Sequence, residues 1–150
     1  MQRAIDLAIE NVRSGQGGPF GAVIVRGGEI IAEGVNQVTS HNDPSAHAEI
    51  VAIRRACQLT GHFELKDCEI YASCEPCPMC LGAIYWARLG RLYFAANRQD
   101  AAAIGFDDSL IYDEIALDLS ERQIPTLNLM REQGLAAFRE WSQSATKLRY

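Results

Sequence analysis

The chain contains the stretch Pro44-Ser45-Ala46-His47-Ala48-Glu49 and, further along, the stretch Pro76-Cys77-Pro78-Met79-Cys80. Cys77 comes thirty residues after His47. In each stretch a proline-marked loop leads into a pattern typical of a helix, so polar side chains stand at two helix starts. Cys77 and Cys80 are three residues apart and share one face of their helix. Together with His47 they provide one nitrogen and two sulfur donors, a set that zinc binds well.

The number of ligands separates a catalytic zinc site from a structural one. Three protein ligands leave a coordination position open for water, whereas structural sites are usually closed by four. Glu49, two residues after His47, offers a carboxylate that can take a proton from that water. Cys74 is the alternative fourth ligand of a closed site, but it precedes Glu75-Pro76 in an extended segment that runs in another direction. A structural site, or a redox-active cysteine pair, would also leave Glu49 without a task.

Composition and charge narrow the class of protein. The 150 residues are 48% apolar and 22% charged, which is typical of one globular domain over residues 1–150. The net charge of −5 disfavours a nucleic-acid partner and favours a small molecule. No window approaches the ~18 apolar residues of a membrane span. The first ten residues carry two acids and lack the apolar core of a signal peptide, so we expect a cytoplasmic location. Crowding of three of the five cysteines into seven residues indicates a metal site and not a disulfide framework.

The hydrophobic pattern predicts a three-layer α/β/α sandwich with a mixed sheet of five strands. The first predicted helix places Ile5, Ala8, Ile9 and Val12 on one face. A polar loop is predicted over 36–45. The predicted helices span 2–14, 47–59, 77–86, a short stretch within 101–115, and 135–145. The predicted strands span 20–26, 29–35, 68–72, 91–95 and, more weakly, 124–130.

Over essentially its whole length the chain resembles the cytidine-deaminase-like superfamily of zinc-dependent deaminases. Residues 17–22, 42–49 and 73–80 match motifs shared by purine-type deaminases. Residues 84–87, residues 105–109 and the tyrosine at position 150 resemble, more narrowly, the branch of bacterial guanine deaminases. The resemblance implies a zinc-dependent hydrolase that acts on a cyclic amidine C–N bond in purine catabolism. Its reaction would convert guanine to xanthine and ammonia, with one catalytic Zn²⁺ per subunit.

The resemblance also implies roles for individual residues. His47, Cys77 and Cys80 match the zinc ligands, and Glu49 matches the residue that carries protons. Further matches imply that the Asn36 amide holds the base, that Asp108 contacts the guanine edge and assists proton movement, and that Tyr150 closes the pocket. Phe20, Ala48 and Trp86 are expected to contribute to substrate binding, the two aromatic residues as apolar walls. From residue type alone, burial is the more common explanation for each of these aromatics and a turn for Asn36, and Asp108 is also explained by a helix cap.

Assembly and substrate leave alternatives open. Members of the branch exchange their C-terminal segments, which implies a domain-swapped homodimer in which the tail completes the partner's site. A guanosine deaminase or another nucleobase or nucleoside deaminase fits the same motifs. A tRNA adenosine deaminase shares the central motifs too, but it must hold a polyanionic RNA, which the acidic charge disfavours. A zinc-stabilised binding module without turnover is the non-enzymatic alternative, against which the presence of Glu49 counts.

Overall fold

The computed structural model describes residues 1–149, which form two compact units. The first unit runs from Met1 to Asp108, and the second begins at Ser109. The elements of the first unit are α1 (Gln2–Ser14), β1 (Gly21–Arg26), β2 (Glu29–Val35), α2 (Val38–His41), α3 (Ala48–Thr60), β3 (Cys68–Cys74), α4 (Pro78–Trp86), β4 (Arg91–Ala96) and α5 (Arg98–Ala103). Those of the second are α6 (Ser109–Ala116), a short 3₁₀ turn (Leu119–Glu121) and α7 (Arg131–Gln143).

The sheet of the first unit is mixed, as the sequence predicts. Its strand order is β2-β1-β3-β4. Strand β1 pairs antiparallel with both β2 and β3, whereas β3 and β4 are parallel. Parallel neighbours require a crossover, and α4 provides it between β3 and β4. The carboxyl end of β3 therefore leads directly into the loop before α4.

Helices cover both faces of this sheet. Successive side chains of a strand point to opposite faces, and Val23 and Ile24 of β1 accordingly enter two different cores. Ile24 belongs to a buried cluster with residues of α3 and α4, such as Ala52 and Ile84. Val23 packs with Ala4 and Leu7 of α1 on the other face. The three-layer α/β/α arrangement is thereby confirmed.

Helix α3 approaches β2 unusually closely, and a glycine permits this. A Cβ atom added to Gly34 would lie 2.1 Å from the carbonyl oxygen of Ala48 and 2.6 Å from the nitrogen of Ala52. Both are backbone atoms that cannot move without moving the helix. The first turn of α3, which carries Ala48 and Glu49, is therefore held directly against the sheet.

The predicted count of five strands is corrected to four in the described part of the chain. Residues 124–130 alternate in the manner of a strand, yet they form no ladder with β1–β4. Alternation predicts a strand only where a neighbouring strand offers hydrogen bonds, and this segment has none within the described residues. The other differences are smaller: the polar loop contains α2, and α7 begins at Arg131 and not at Leu135.

The buried face of α1 also differs from the predicted one. The helix buries Ala4, Leu7, Ala8 and Asn11, which recur at i, i+3, i+4 and i+7. Ile9 and Val12, predicted to face the core, are 44% and 52% exposed. Apolar side chains therefore remain on the outer surface of this helix, and a polar one is inside. Among residues 1–149, no helix is long and apolar enough to cross a membrane.

Candidate zinc site

The zinc ligands lie at the amino ends of two neighbouring helices. His47 is the residue that caps α3 and Cys77 the one that caps α4, both with extended backbone angles. Pro78 follows Cys77 in the first turn of α4, where its missing N–H costs no helical hydrogen bond. Cys80 lies one turn further along and is fully buried. The loops that the sequence marks with prolines therefore deliver all three side chains to one place.

The distances between the donor atoms fit a tetrahedral zinc ion. The Nδ1 atom of His47 is 3.5 Å from the Sγ atom of Cys77 and 3.5 Å from that of Cys80. All three ligand atoms lie within 4.8 Å of one another. Nitrogen and sulfur ligands at about 2.1 and 2.3 Å from one tetrahedral zinc would be separated by about 3.5 Å. His47 therefore presents Nδ1, and not Nε2, to the ion.

The cysteine pair is prepared for a cation. A hydrogen bond from Cys80, assisted by one from His47, lowers the pKa of the Cys77 thiol to about 4. The same hydrogen bond, together with burial, raises the pKa of the Cys80 thiol. This hydrogen bond favours the thiolate at Cys77, and zinc binding requires both cysteines to be deprotonated.

Cys74 does not belong to this group. Its thiol donates a 3.6 Å hydrogen bond to the carbonyl oxygen of Asn97, and burial followed by the charge of Glu49 raises its pKa to about 11. The Cys74 sulfur is thus engaged with Asn97 and lies outside the group formed by the three ligand atoms. The ligand set in residues 1–149 therefore has three members, and the closed four-ligand alternative is not supported.

Glu49 lies beside the ligands in the first turn of α3. Its side chain is buried, and burial is the main cause of a raised pKa, with the negative charge of Cys77 adding to it. A carboxyl group with a raised pKa is suited to exchanging protons near neutral pH. The arrangement thus places an acid–base group within the immediate surroundings of an open metal site.

The two polar residues that the sequence assigns to the substrate differ in their surroundings. Asn36 follows β2, is buried, and accepts hydrogen bonds at Oδ1 from the backbone N–H groups of Gly18 and Val38, both 3.3 Å long. Asp108 is half-buried in the segment after α5. Burial raises its pKa, and the charge of Cys77 adds to this effect.

The expected apolar walls are distributed unevenly. Phe20 packs against the core and meets Phe106 edge to face, with ring centroids 4.9 Å apart. Ala48 is buried at the start of α3. Trp86 ends α4, is 63% exposed, and lies under the guanidinium of Arg88. A role of Trp86 in substrate binding stays a prediction, and Tyr150 lies outside the described residues.

Two residues of this region escaped the sequence analysis. Phe106 lies within the motif at 105–109 and has no predicted role, although its ring contacts that of Phe20. Asn11 was hidden because the apolar pattern of α1 assigned it to the outer face, whereas it is buried beside Asn36. The helical spacing of Asn11 from Ala4, Leu7 and Ala8 was the sequence feature that could have indicated its burial.

An α/β/α sandwich with an open three-ligand zinc site and a buried carboxylate beside it defines a zinc-dependent hydrolytic enzyme. The chain belongs to the family described as the cytidine and deoxycytidylate deaminase zinc-binding region, whose profile matches residues 1–96. This match covers all three ligands and Glu49. The protein is therefore a zinc-dependent deaminase of this family.

Relatives extend the likeness beyond the matched region. Guanine deaminase of Bacillus subtilis (strain 168) is 55% identical over 150 residues, which is 100% of this chain and 96% of that protein. Its crystal structure matches with a TM-score of 0.97 over 99% of this chain and 95% of that one. A guanine deaminase structure from Nitrosomonas europaea is 35% identical, with a TM-score of 0.68 over 71% of this chain and 62% of that one. A tRNA-specific adenosine deaminase of Agrobacterium fabrum (strain C58) is 43% identical over 86 residues, 57% of each chain.

Proposed function

We propose that this protein is a guanine deaminase that hydrolyses guanine to xanthine and ammonia. The observation that carries the proposal is the 55% identity to the Bacillus subtilis enzyme, which extends over the whole chain. The tRNA-specific adenosine deaminases of Agrobacterium fabrum and Haemophilus influenzae match 57% and 72% of it. The likeness to the guanine deaminase therefore also includes the C-terminal part of the chain. The acidic net charge of −5 is also unfavourable for a tRNA partner.

Glu49 moves the protons in the proposed reaction. A bound zinc ion supplies the Lewis acidity that makes water nucleophilic near neutral pH. Glu49 accepts a proton from the attacking water, whose oxygen forms a bond to C2 of guanine. The carboxyl group then gives this proton to the adjacent ring nitrogen. In the second half Glu49 takes the proton of the new C2 hydroxyl group and gives it to the exocyclic amino group, so that the exocyclic C2–N bond breaks, the C2 carbonyl forms and ammonia leaves.

The substrate is held by groups outside the metal ligands. Asn36 offers its side-chain amide to the purine, and Asp108 accepts from an N–H or amino group at the guanine edge. Phe20 and Phe106 form an apolar wall, and buried Ala48 leaves room for a flat ring near the ligands. Trp86 and Tyr150 complete the proposed site. Tyr150 lies seventy residues after Cys80 in the chain, which is compatible with a contribution from a second subunit.

The proposed assembly is a homodimer that exchanges C-terminal segments. The second unit carries large apolar side chains that are exposed, among them Ile124, Leu127 and Leu129, with Leu127 at 80%. Ile9 and Val12 are apolar residues on the outer face of α1 and are exposed too. Exposed apolar side chains that form a contiguous patch mark a protein interface. A second copy of the chain is the partner that the family resemblance implies.

Ammonia release tests the proposed activity. The zinc-loaded protein is incubated with guanine, guanosine, adenine, cytosine and tRNA, and ammonia and the deaminated product are measured. We expect xanthine and equimolar ammonia from guanine, with at least tenfold lower kcat/KM for each other compound, a difference of about 1.4 kcal/mol in transition-state binding. Preference for guanosine would transfer the same chemistry to the nucleoside. Ammonia from none of the compounds would indicate a zinc-stabilised binding module.

A cytoplasmic location stays a prediction.

A further inference from the structure

Asn11 is a polar residue in the buried face of α1. Its neighbours on that face are alanine and leucine, and it is only 4% exposed. An amide in such a place needs hydrogen-bond partners, because an unsatisfied buried polar group is costly. None of the proposed steps of deamination uses this residue. Its partners therefore indicate what it does.

The Asn11 amide joins two loops. Its Nδ2 group donates to the carbonyl oxygens of Gly18 and Asn36, each at 2.9 Å. Two facing acceptors determine which end of the amide is nitrogen. The loop that contains Gly18 is pressed against the same carbonyl, since a Cβ atom added to Gly17 would lie 2.1 Å from the oxygen of Asn36. One side chain on α1 thus fixes the loop before β1 and the residue after β2.

The side chain of Asn36 is oriented by the same two segments. Its Oδ1 atom accepts from the backbone N–H groups of Gly18 and Val38. Because two donors face this atom, the oxygen is turned towards the protein. The NH₂ group is then the part of the amide that remains for a ligand, and no acceptor within residues 1–149 is recorded for it. An oxygen committed in this way cannot accept from the substrate at the same time.

We propose that Asn11 is a positioning residue for substrate binding. By holding the backbone of Gly18 and Asn36, it keeps the Asn36 amide in the one orientation that donates to the purine. The inference rests on the proposed function, and it defines the ligand chemistry at Asn36 as an acceptor, either a ring nitrogen or a carbonyl oxygen. Guanine presents both, as N7 and O6, whereas adenine has an amino group in place of the carbonyl.

Two substitutions of Asn11 test the proposal. Asn11→Asp keeps the size of the side chain but replaces the donor by an oxygen that faces two carbonyl oxygens. Asn11→Ala removes the donor altogether and serves as the second variant if the first does not fold. For both we expect KM for guanine to rise about tenfold, with kcat changed less than about threefold, because a positioned hydrogen bond is lost while the metal site is untouched. Zinc content should stay at one per chain.

Two control variants on the same helix separate positioning from general stability. Ser14→Ala removes a hydroxyl that donates to the carbonyl oxygen of Asn11, without touching either loop. Leu7→Ala weakens the packing of α1 on the sheet, where Leu7 lies in the core with Val23. We expect Ser14→Ala to keep the KM of the parent protein. Leu7→Ala should lower the temperature of unfolding and leave KM within about twofold of the parent.

Amide hydrogen exchange of the protein without substrate gives a second readout. Loss of the Asn11 donor should speed exchange of the Gly18 and Val38 N–H groups at least about fivefold, because the bonds to Asn36 Oδ1 open more often. Unchanged exchange and unchanged KM in both Asn11 variants would overturn the inference, as would an equal rise of KM in Leu7→Ala. If the parent protein releases no ammonia from guanine, the proposed function fails, and the exchange rates alone then decide the inference.

Discussion

At the scale of single residues, Glu49 separates this site from a structural zinc site. It is buried beside the ligands, and the raised pKa that burial causes suits a group that both accepts and donates protons. The sequence alone indicates the role, since a carboxylate two residues after a metal-binding histidine has no part in a closed site. The structure adds the proximity to Cys77 and Cys80.

Replacing Glu49 by glutamine should remove catalysis and keep the metal. We expect turnover to fall by about 10²–10⁴-fold, because glutamine has a similar shape but cannot carry a proton at neutral pH. Ammonia release measures turnover, and elemental analysis measures zinc. Glu29→Gln, at the exposed start of β2, is the control and should keep full activity. Near-normal turnover by zinc-loaded Glu49→Gln would show that the assignment is wrong.

The two neighbouring cysteines should respond differently to the same change. Cys77→Ala should lower zinc content and activity together, because a site with two protein ligands binds zinc weakly. Cys74→Ala is the matched control, since Cys74 is also a buried thiol near the site but donates its hydrogen bond to Asn97. We expect this variant to keep one zinc per chain. Loss of zinc from Cys74→Ala together with full zinc content in Cys77→Ala would contradict the ligand set.

At the scale of elements, the site depends on how closely helices meet the sheet. The ligands stand at the starts of α3 and α4, and α3 is held against β2 by a contact that only glycine allows. Helix periodicity predicts the existence of these helices but not their distance from the strands. Backbone contacts at Gly34 set that distance.

Gly34→Ala should therefore disturb both stability and metal binding. The added methyl group meets backbone atoms of Ala48 and Ala52, so we expect the free energy of unfolding to fall by about 1–3 kcal/mol and zinc affinity to fall with it. Gly82→Ala is the matched control, because it adds the same group within α4 in open space. That change should raise stability by about 0.5–1 kcal/mol. Calorimetry with and without a chelator measures both quantities, and equal stability of the two variants would refute the argument.

An ion pair joins α1 to β2 and predicts a pH dependence. Arg3 donates two hydrogen bonds of 2.7 and 2.8 Å to the carboxylate of Glu33. Hydrogen bonding by Arg3 is the main cause of the lowered pKa of Glu33. Because the pKa of Glu33 is lower in the folded protein, the ionised carboxylate stabilises the fold at pH values above 4.5, its pKa in the unfolded chain. This stabilisation is lost as the pH falls through the lower pKa of the folded protein. Both side chains are partly exposed, so the effect is small.

Arg3→Gln should lower the free energy of unfolding by about 0.2–1 kcal/mol at pH 7. The difference from the parent protein should shrink as the pH falls below 4.5, because Glu33 becomes protonated in both proteins. Urea unfolding at several pH values measures it. Arg13→Gln at the other end of α1 is the control and should show no such convergence. A difference that grows towards acid pH would contradict the sign of this argument.

At the scale of the whole molecule, the main prediction is that the chain forms a homodimer in which the C-terminal tail completes an active site. The resemblance to deaminases that exchange C-terminal segments predicts that removal of residues 147–150 lowers activity sharply and leaves fold and zinc intact. Such a loss would not by itself show whose site the tail completes. A mixed dimer distinguishes the two cases.

The mixed dimer combines one Glu49→Gln chain with one chain that lacks residues 147–150, purified through two different tags. In an exchanged dimer, the tail of the first chain completes the site of the second, which has Glu49. We expect about half of the parent activity per dimer, because one of two sites is whole. Dimers of either altered chain alone are the controls and should be inactive. An inactive mixed dimer, or a monomer in sedimentation, would rule out the exchanged tail.

The sequence by itself determined the elements and the zinc ligands of this protein. Helix periodicity and the proline-marked loops are local features of the sequence. The positions of His47, and of Cys77 and Cys80, at the starts of two predicted helices are local features as well. The mixed α/β/α arrangement and the open site follow from them. Only the identity of the substrate needed the comparison with whole relatives.

The tertiary structure decided what depends on contacts between distant parts of the chain. It placed Asn11 inside, against the apolar pattern of α1, because two backbone carbonyls from separate loops needed its donor. It left residues 124–130 without a strand partner among the described residues, although their alternation predicted one. It also brought Phe106 to Phe20. Periodicity reports which side chains share a face, and only packing decides what that face meets.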